Sequence, residues 1–363
     1  MAILVCEKLS LRPLRQVTPL TMKPKATEPM PTIPTRKSRS EPPSRVKKIA
    51  VITVVALMAV VTRSVADSQL DRLKAKASET CASLSVEEST ETMSVGGRGE
   101  MEIQRTTFSI DTGARFFKMS YRSFVEGNAI ENPDLLSDGG SGYGMLEPDR
   151  NWYWQGFIAA SFRGISGTDI RKHQAKVRIL ATEGERVGYD LVFEMEAGTI
   201  VIRTVALAGR EELFVSVFGE NGGEELAVEF RGYPLGFNGP FDRWAHSASA
   251  DIQNQGKERI AVPLDVNTDH WVLLTDHNLA DTVADGQLGL IWAPGTLESA
   301  KVVHSGNYAT GLDASNRGER PEQQYMLCHI VGKSWQEARE AMKSLAPSAP
   351  DLITKALNGW TSK

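Results

Sequence analysis

The stretch YDLVFEMEAGTIVIRTVALAGREELFVSVFGENGGEELAVEF, residues 189–230, determines the fold class. Apolar side chains at every second position from Tyr189 to Met195 point one way, while Asp190 and Glu194 point the other. This period of two with one polar face is typical of a half-buried antiparallel strand. The turns EAGT, AGREE and NGGEE separate three further runs of the same kind. The stretch therefore predicts a meander of four strands joined by hairpins.

Similar strand-like runs extend over most of the chain, from RFFKMSYRSF to EQQYMLCHIVG. The first clear amphipathic helix is SWQEAREAMKSLAP, in which Ser334 can cap the start and Pro347 closes the end. Strands at intervals of roughly ten residues, without crossover helices, predict a mainly β fold. We expect a large antiparallel β-sandwich, supersandwich-like, with short helices at both ends of the mature chain.

The predicted organisation has five parts. Residues 1–44 form a basic, proline-rich leader of disordered type, and residues 45–66 a signal peptide. A short helix over 67–84 precedes the sandwich at 85–333, and a helical segment at 334–363 packs on the sandwich.

The leader differs in charge from the rest of the chain. Residues 1–66 contain 12 basic and 3 acidic residues, which leaves 29 basic and 42 acidic residues in the remainder. Such an acidic body repels phosphate backbones, so we expect no nucleic-acid partner. The basic start at Arg45, the uncharged run Ile49–Val61 and the small residues ending at Ala66 have the pattern of a secretory signal, with cleavage before Asp67. We expect an exported protein, periplasmic or secreted, and no membrane contact beyond the leader. The alternative is a membrane anchor through residues 46–62.

Export bears on the cysteines. With Cys6 in the leader, the mature chain retains Cys81 and Cys328. They form either one disulfide, as an oxidising compartment permits, or two buried free thiols. A core of this size does not need a crosslink, which favours free thiols.

The triplet Thr-Asp-His occurs twice in NTDHWVLLTDHN, where it ends in His270 and in His277. With a strand between them, the two histidines lie about 23 Å apart and on opposite faces. A shared metal ion is excluded at that distance, because zinc–nitrogen bonds are about 2.0–2.1 Å long. We therefore expect two turns, with at most one of the histidines in a site, and we take His270 as the candidate.

A richer group of polar and aromatic residues lies in FRGYPLGFNGPFDRWAHSAS. In an extended chain Asp242, Trp244 and His246 share a face and Arg243 lies opposite. A carboxylate, an imidazole and an indole beside a Gly/Pro-rich loop suit a sugar site, with Asp242 and His246 as acid or base. The alternative is structural, with a core indole and a surface ion pair. The candidate ligand-binding residues of this segment are Arg231, Tyr233, Arg243 and Trp244.

Trp152 and Trp154 in NWYWQGF follow a long loop and share one strand face, either in the core or exposed to a ligand. They complete the candidate ligand-binding set. Phosphate-binding Gly-rich loops, His-Glu-x-x-His, Gly-x-Ser-x-Gly and Cys-x-x-Cys motifs are missing from the sequence. We expect no cofactor and no metal.

In its alternation of short strands and turns, the stretch 189–230 resembles proteins of the galactose mutarotase-like superfamily. Two segments carry the resemblance: Phe218–Gly223 at a strand end, and GGSGYGMLEP further upstream. The resemblance covers residues 95–333 in outline and implies a supersandwich. It also implies a carbohydrate partner. The predicted function is carbohydrate binding, or acid–base chemistry on a sugar of the epimerase, lyase or hydrolase class, through a groove. The alternative is a non-catalytic structural or interaction module of the cell envelope. Whether the protein is an enzyme, and its oligomeric state, stay open at the level of sequence.

Overall fold

The computed structural model describes residues 81–95, 99–124, 142–148, 157–235, 241–254, 259–279, 286–306 and 309–360. All of them belong to one compact unit, Thr62–Lys363. The predicted leader, signal peptide and anchor, as well as Trp152 and Trp154, lie outside the described residues. Within the described ranges, none of the helices has the length and apolar character needed to cross a bilayer.

The described strands form three sheets, and every strand pair in them is antiparallel. The first sheet has five strands, β1 (Ala82–Val95), β2 (Gly99–Asp111), β3 (Phe116–Phe124), β4 (Gly142–Glu147) and β7 (Glu183–Gly184), in the order β4-β3-β2-β1-β7. A second five-stranded sheet has the order β14-β17-β18-β11-β5 and consists of β5 (Ile158–Phe162), β11 (Glu225–Gly232), β14 (Arg259–Leu264), β17 (Ser299–Ser305) and β18 (Ala309–Arg317).

The third sheet has nine strands in the order β13-β12-β15-β16-β19-β10-β9-β8-β6. Its members are β6 (Lys176–Ala181), β8 (Arg186–Met195), β9 (Gly198–Leu207), β10 (Glu212–Glu220), β12 (Arg243–Ser247), β13 (Asp251–Gln253), β15 (Trp271–Asp276), β16 (Gly286–Trp292) and β19 (Glu322–Val331). This architecture confirms the predicted mainly β, antiparallel fold class.

The predicted meander is correct for three of its four strands. β8, β9 and β10 are consecutive neighbours, but β10 then pairs with β19, and β11 pairs with β18 and β5 in another sheet. The chain changes sheets at the turn after β10, where Asn221 has a φ of 52°. Gly222 lies so close to Phe162 of β5 that a Cβ would be 2.3 Å from that ring, which ties the turn to the second layer.

The nine-stranded sheet is buried on both faces. Alternate residues such as Tyr189, Leu191 and Phe193 enter a large core that includes side chains from all three sheets. On its opposite face, called the outer face below, a second cluster packs beneath two C-terminal helices and includes Phe214 and Met326. The double burial accounts for the near-continuous apolar character of its central strands.

The two helices are α1 (Trp335–Leu345) and α2 (Ala349–Leu357). At the start of α1 the Ser334 hydroxyl accepts from the Glu337 N–H, and the Glu337 carboxylate accepts from the Ser334 N–H, which is a capping box. Ala338 and Met342 of α1, together with Ile353 of α2, are buried in the outer cluster. The C-terminal segment therefore packs on the sandwich.

One sequence-based prediction about the start of the body needs adjustment. The predicted helix over residues 67–84 is wrong at its C-terminal end, because Ala82 and Leu84 belong to β1 and, as alternate residues of that strand, point into the core. The earlier part of that helix lies outside the described residues. Cys81 and Cys328 are both free thiols, and burial raises the pKa of Cys328.

Candidate functional site

One end of the nine-stranded sheet, formed by β13, β12 and β15, contains the main group of polar and aromatic side chains. Because side chains alternate along β12, Ala245 enters the large core while Trp244 and His246 lie on the outer face. His277 follows β15, and its backbone N–H donates to the Asp242 carbonyl at 2.9 Å. Helix α1 packs over this end and begins with Trp335.

Trp244, His246, His277 and Trp335 form a layered arrangement, here called the histidine–tryptophan cluster. The imidazoles lie side by side, with their planes 5° apart and their Nε2 atoms 3.2 Å apart. Trp335 stacks on both of them, at centroid distances of 4.4 Å from His277 and 4.8 Å from His246. Trp244 is parallel to both rings and 4.8 Å from His277. Each imidazole is thus stacked with both indoles, which is a favourable arrangement of aromatic rings.

A carboxylate flanks each imidazole. Asp251 Oδ1 is 2.7 Å from His246 Nδ1, and the same carboxylate binds Arg339 of α1 at 2.9 Å. Asp242 Oδ2 is 3.6 Å from His277 Nδ1, while its Oδ1 accepts from the Trp244 indole N–H at 2.8 Å. The result is a chain of groups in the order Asp251, His246, His277, Asp242.

The distances along this chain of groups favour one arrangement of the protons. His246 Nδ1 donates to Asp251, so in a neutral ring its Nε2 is an acceptor. His277 must then donate through Nε2, which leaves its Nδ1 lone pair free towards Asp242, 3.6 Å away. The unprotonated Nδ1 of His277 is therefore the basic atom of the pair.

Burial and neighbouring charges determine the protonation of this pair. Desolvation lowers the pKa of both His246 and His277, although Asp251 and Asp242 act in the opposite direction. Both rings are therefore neutral near pH 7. The His246 side chain is only 2% exposed and that of His277 is 18% exposed, so His277 is the one that can exchange a proton with solvent or a ligand.

A buried ion pair supports the site from the core side of the sheet. Arg243 and Asp276 face each other across β12 and β15, 4.0 Å apart and without solvent exposure. The Arg243 guanidinium lies 4.2 Å from the Phe241 ring centroid. Asp276 also accepts from the backbone N–H groups of Asp242 and Asn278, which fixes the two turns that carry Asp242 and His277. Burial raises the pKa of Asp276 and lowers that of Arg243.

The structure brings some of the sequence-derived candidates together and separates others. Asp242, Trp244 and His246 meet as expected, whereas Arg243, also a candidate ligand contact, lies buried on the core side of the sheet. Tyr233 is also buried, with its ring 5.8 Å from the Arg243 guanidinium. We expected Arg231 near Asp242 and Trp244, but it binds Glu229 and Asp313 in another sheet.

His270 is not a member of the cluster. It precedes β15 and His277 follows it, so the strand separates them as the spacing predicts. The histidine that joins His246 is His277, which sequence reasoning had assigned to a turn. Trp335 and Arg339 were missed because the sequence carries no local signal of contacts with residues about 90 positions away. Asp251 was missed because its contact with His246 depends on the pairing of β12 with β13. Among the described residues, no three His, Cys, Asp or Glu side chains are placed to hold a metal ion.

Comparisons with known proteins concern the fold only. No protein-family model and no curated protein matches the sequence. The fold is similar to that of a protein assigned as an aldose 1-epimerase from Klebsiella pneumoniae, with 8% identity, a TM-score of 0.39, and coverage of 76% of this chain and 97% of the other. It is also similar to an alpha-mannosidase from Enterococcus faecalis, with 11% identity, a TM-score of 0.39 and coverage of 77% and 41%.

A third structure, the alpha-galactosidase from Lactobacillus brevis, has 9% identity, a TM-score of 0.35 and coverage of 62% and 39%. The chain thus spans about two fifths of the length of these two glycosidases. All three proteins carry the names of carbohydrate-active enzymes. Because all three TM-scores are below 0.5, the similarity is limited to the general arrangement of the fold.

Proposed function

We propose that the protein binds a carbohydrate at the exposed edge of the histidine–tryptophan cluster and exchanges a proton with it through His277. The observation that carries this proposal is the stacked imidazole pair, in which the partly exposed His277 lies beside a carboxylate and an indole. Both groups beside it, Asp242 and Trp244, are themselves partly exposed. A ligand that reaches His277 therefore contacts them as well.

Each group at this edge matches a part of a sugar. The apolar C–H face of a pyranose packs against an indole such as Trp244, and the Asp242 carboxylate accepts from hydroxyls. His277 Nδ1 can take a proton from a hydroxyl or an acidic C–H group, because its lowered pKa keeps the ring neutral near pH 7. His246 and Asp251 hold His277 in the required tautomer, as the third group does in a catalytic triad.

A second function is favoured by a different observation. The four rings stack on one another, and Asp251 binds both His246 and Arg339, so the same residues fasten α1 to the sheet. A cluster that only fastens the helix would suit a non-catalytic structural or interaction module. Under that interpretation the indoles contribute stability and no ligand contact.

Trp244→Ala separates the two functions. Loss of stacking on a sugar ring is expected to weaken binding about tenfold, measured by titration calorimetry against a panel of oligosaccharides. His277→Gln is expected to preserve binding and to abolish any sugar conversion followed by NMR. Arg259→Ala, at an exposed side chain of β14, is the control. A Trp244→Ala protein that melts much earlier but binds as before would favour the structural function and contradict the proposed one.

We also propose that the protein is exported and begins at Asp67 after cleavage. The pattern from Arg45 to Ala66 supports this proposal. N-terminal sequencing of protein recovered from outside the cytoplasm tests it. Full-length chain retained in the membrane fraction would favour the anchor through residues 46–62.

A further inference from the structure

A row of polar side chains crosses the outer face of the nine-stranded sheet, far along the strand order from the histidine–tryptophan cluster. It runs through directly paired positions on five neighbouring strands: Arg178, Asp190, Arg203, Ser216 and Gln324. If the row were exposed to solvent, it would be an ordinary polar face of a sheet. However, Asp190 is 0% and Ser216 1% exposed, so part of the row is enclosed by the protein.

A cavity of about 300 Å³ opens on this row, beside the C-terminal end of α2. Its polar lining consists of three arginines and two glutamates: Arg178, Arg203, Arg320, Glu220 and Glu322. Phe218 and Trp360 supply apolar surface. The volume lies at the lower end of the range for small-molecule sites, which suits one or two sugar-sized rings.

The charges around the cavity balance. Asp190 Oδ1 and Oδ2 accept from Arg203 at 2.8 and 3.0 Å, and Oδ2 accepts from Arg178 at 2.6 Å, so one carboxylate holds two guanidinium groups. Glu322 Oε1 accepts from Ser216 at 2.7 Å and from Gln324 at 2.9 Å. Counting the residues that line the cavity and their partner Asp190, three guanidiniums face three carboxylates.

This balance identifies the class of ligand. An anion would be attracted by the arginines but repelled by the three carboxylates, and a cation would meet the reverse. A neutral molecule with many hydroxyls can use donors and acceptors at once, because each hydroxyl both donates and accepts. The arginines retain donors beyond those bound to Asp190, and each glutamate retains acceptor capacity.

The aromatic residues of the cavity are held in position by cations. The Arg186 guanidinium lies 4.4 Å from the Trp360 ring centroid, and the Trp360 indole N–H donates to the Ala356 carbonyl at 2.8 Å. The Arg203 guanidinium lies 5.4 Å from the Phe218 ring centroid. Rings fixed in this way present a pre-organised apolar surface to the C–H groups of a ligand.

We propose that this cavity is a second binding site, which takes one unit of a neutral sugar or a similar polyol. Arg320, Glu220 and Glu322 bind the hydroxyls, and Trp360 packs against the C–H face. The site does not depend on the histidine–tryptophan cluster, and it extends the proposed function by giving the protein two separate contacts for a saccharide.

The test follows the indole N–H resonance of Trp360 in ¹⁵N-labelled protein, assigned with Trp360→Phe, during titration with neutral hexoses and disaccharides. A saturable shift is expected. Arg320→Ala and Glu322→Gln are each expected to weaken binding about fivefold or more, the effect of losing one charge-assisted hydrogen bond. Arg259→Ala is the matched control, since that arginine lies on a different sheet.

Several results would overturn the second site. They are the lack of a saturable shift, a shift with glucuronate or sulfate but not with neutral sugars, and unchanged binding in Arg320→Ala. Trp244→Ala distinguishes the two proposals, because it is expected to leave the Trp360 shift intact. If Trp244→Ala leaves all sugar binding unaffected while Arg320→Ala removes it, the proposed site at the cluster fails and the cavity stands.

Discussion

Asp190 provides the most demanding test of the polar row. Its carboxylate is fully buried between Arg178 and Arg203 and accepts from both guanidiniums. Asp190→Asn keeps the shape of the side chain but leaves two cations without their counter-ion. Breaking a buried ion pair costs about 3–5 kcal/mol. The Arg178 side chain is 38% exposed, so solvent screens its interaction with Asp190. We therefore expect the free energy of unfolding to fall by about 3 kcal/mol.

Urea denaturation followed by tryptophan fluorescence measures this loss, which corresponds to a fall in Tm of roughly 5 °C for a unit of about 300 residues. Glu194→Gln is the matched control, because Glu194 lies on the same strand but forms an exposed pair with Lys176. That control is expected to change stability by less than about 1 kcal/mol. If Asp190→Asn behaves like the control, the row is solvated in solution and the argument for an enclosed site is refuted.

Three further predictions concern other parts of the fold. Because the folded-state pKa of His277 is lowered, its stabilising contribution is complete above the ordinary value of about 6.5 and falls as the pH drops towards the lowered value. The free energy of unfolding should therefore change less between pH 7 and 4.5 in His277→Gln than in the wild type. Burial lowers the pKa of His304 to about 4, and this histidine contributes equally in both proteins. Gly311→Ala places a Cβ 1.9 Å from the Phe230 carbonyl oxygen and is expected to cost at least about 1–3 kcal/mol in urea denaturation. Ser334→Ala removes the α1 cap and is expected to cost about 1 kcal/mol, measured in the same way.

The local alternation of residues was enough to predict the strands and their antiparallel pairing. In β8, β9 and β10 each short turn leaves only one neighbour within reach, so sequence order and sheet order agree. The step from β10 to β11 could not be predicted in the same way. A strand with one apolar face can join the sheet of the preceding strand or the opposite sheet, and it buries the same side chains in either position. The contact of Gly222 with Phe162 of β5 holds this turn against the opposite sheet, and it involves a strand that is distant in sequence.

The candidate site was predictable only where its residues lie on one strand. Trp244 and His246 are two positions apart on β12, so alternation alone places them together. His277 reaches them because β15 pairs with β12, and Trp335 reaches them because α1 packs on β15; both facts depend on the tertiary fold. The same limit explains Arg243: its charge suggested a surface role, but Asp276 on the paired strand compensates that charge inside the core.

The two proposed sites share one structural element, the C-terminal segment. Helix α1 begins with Trp335 in the histidine–tryptophan cluster, and the segment reaches the polar cavity at Trp360 just after α2. Between these ends, Met342 and Ile353 are buried against the apolar part of the outer face. The helices therefore cover the apolar strip that lies between two polar regions, and each of their ends adds an indole to one of those regions. Because burial of that strip holds both ends in place, packing under the helices positions Trp335 and Trp360 together, whereas each site keeps its own hydrogen-bonding groups on the sheet.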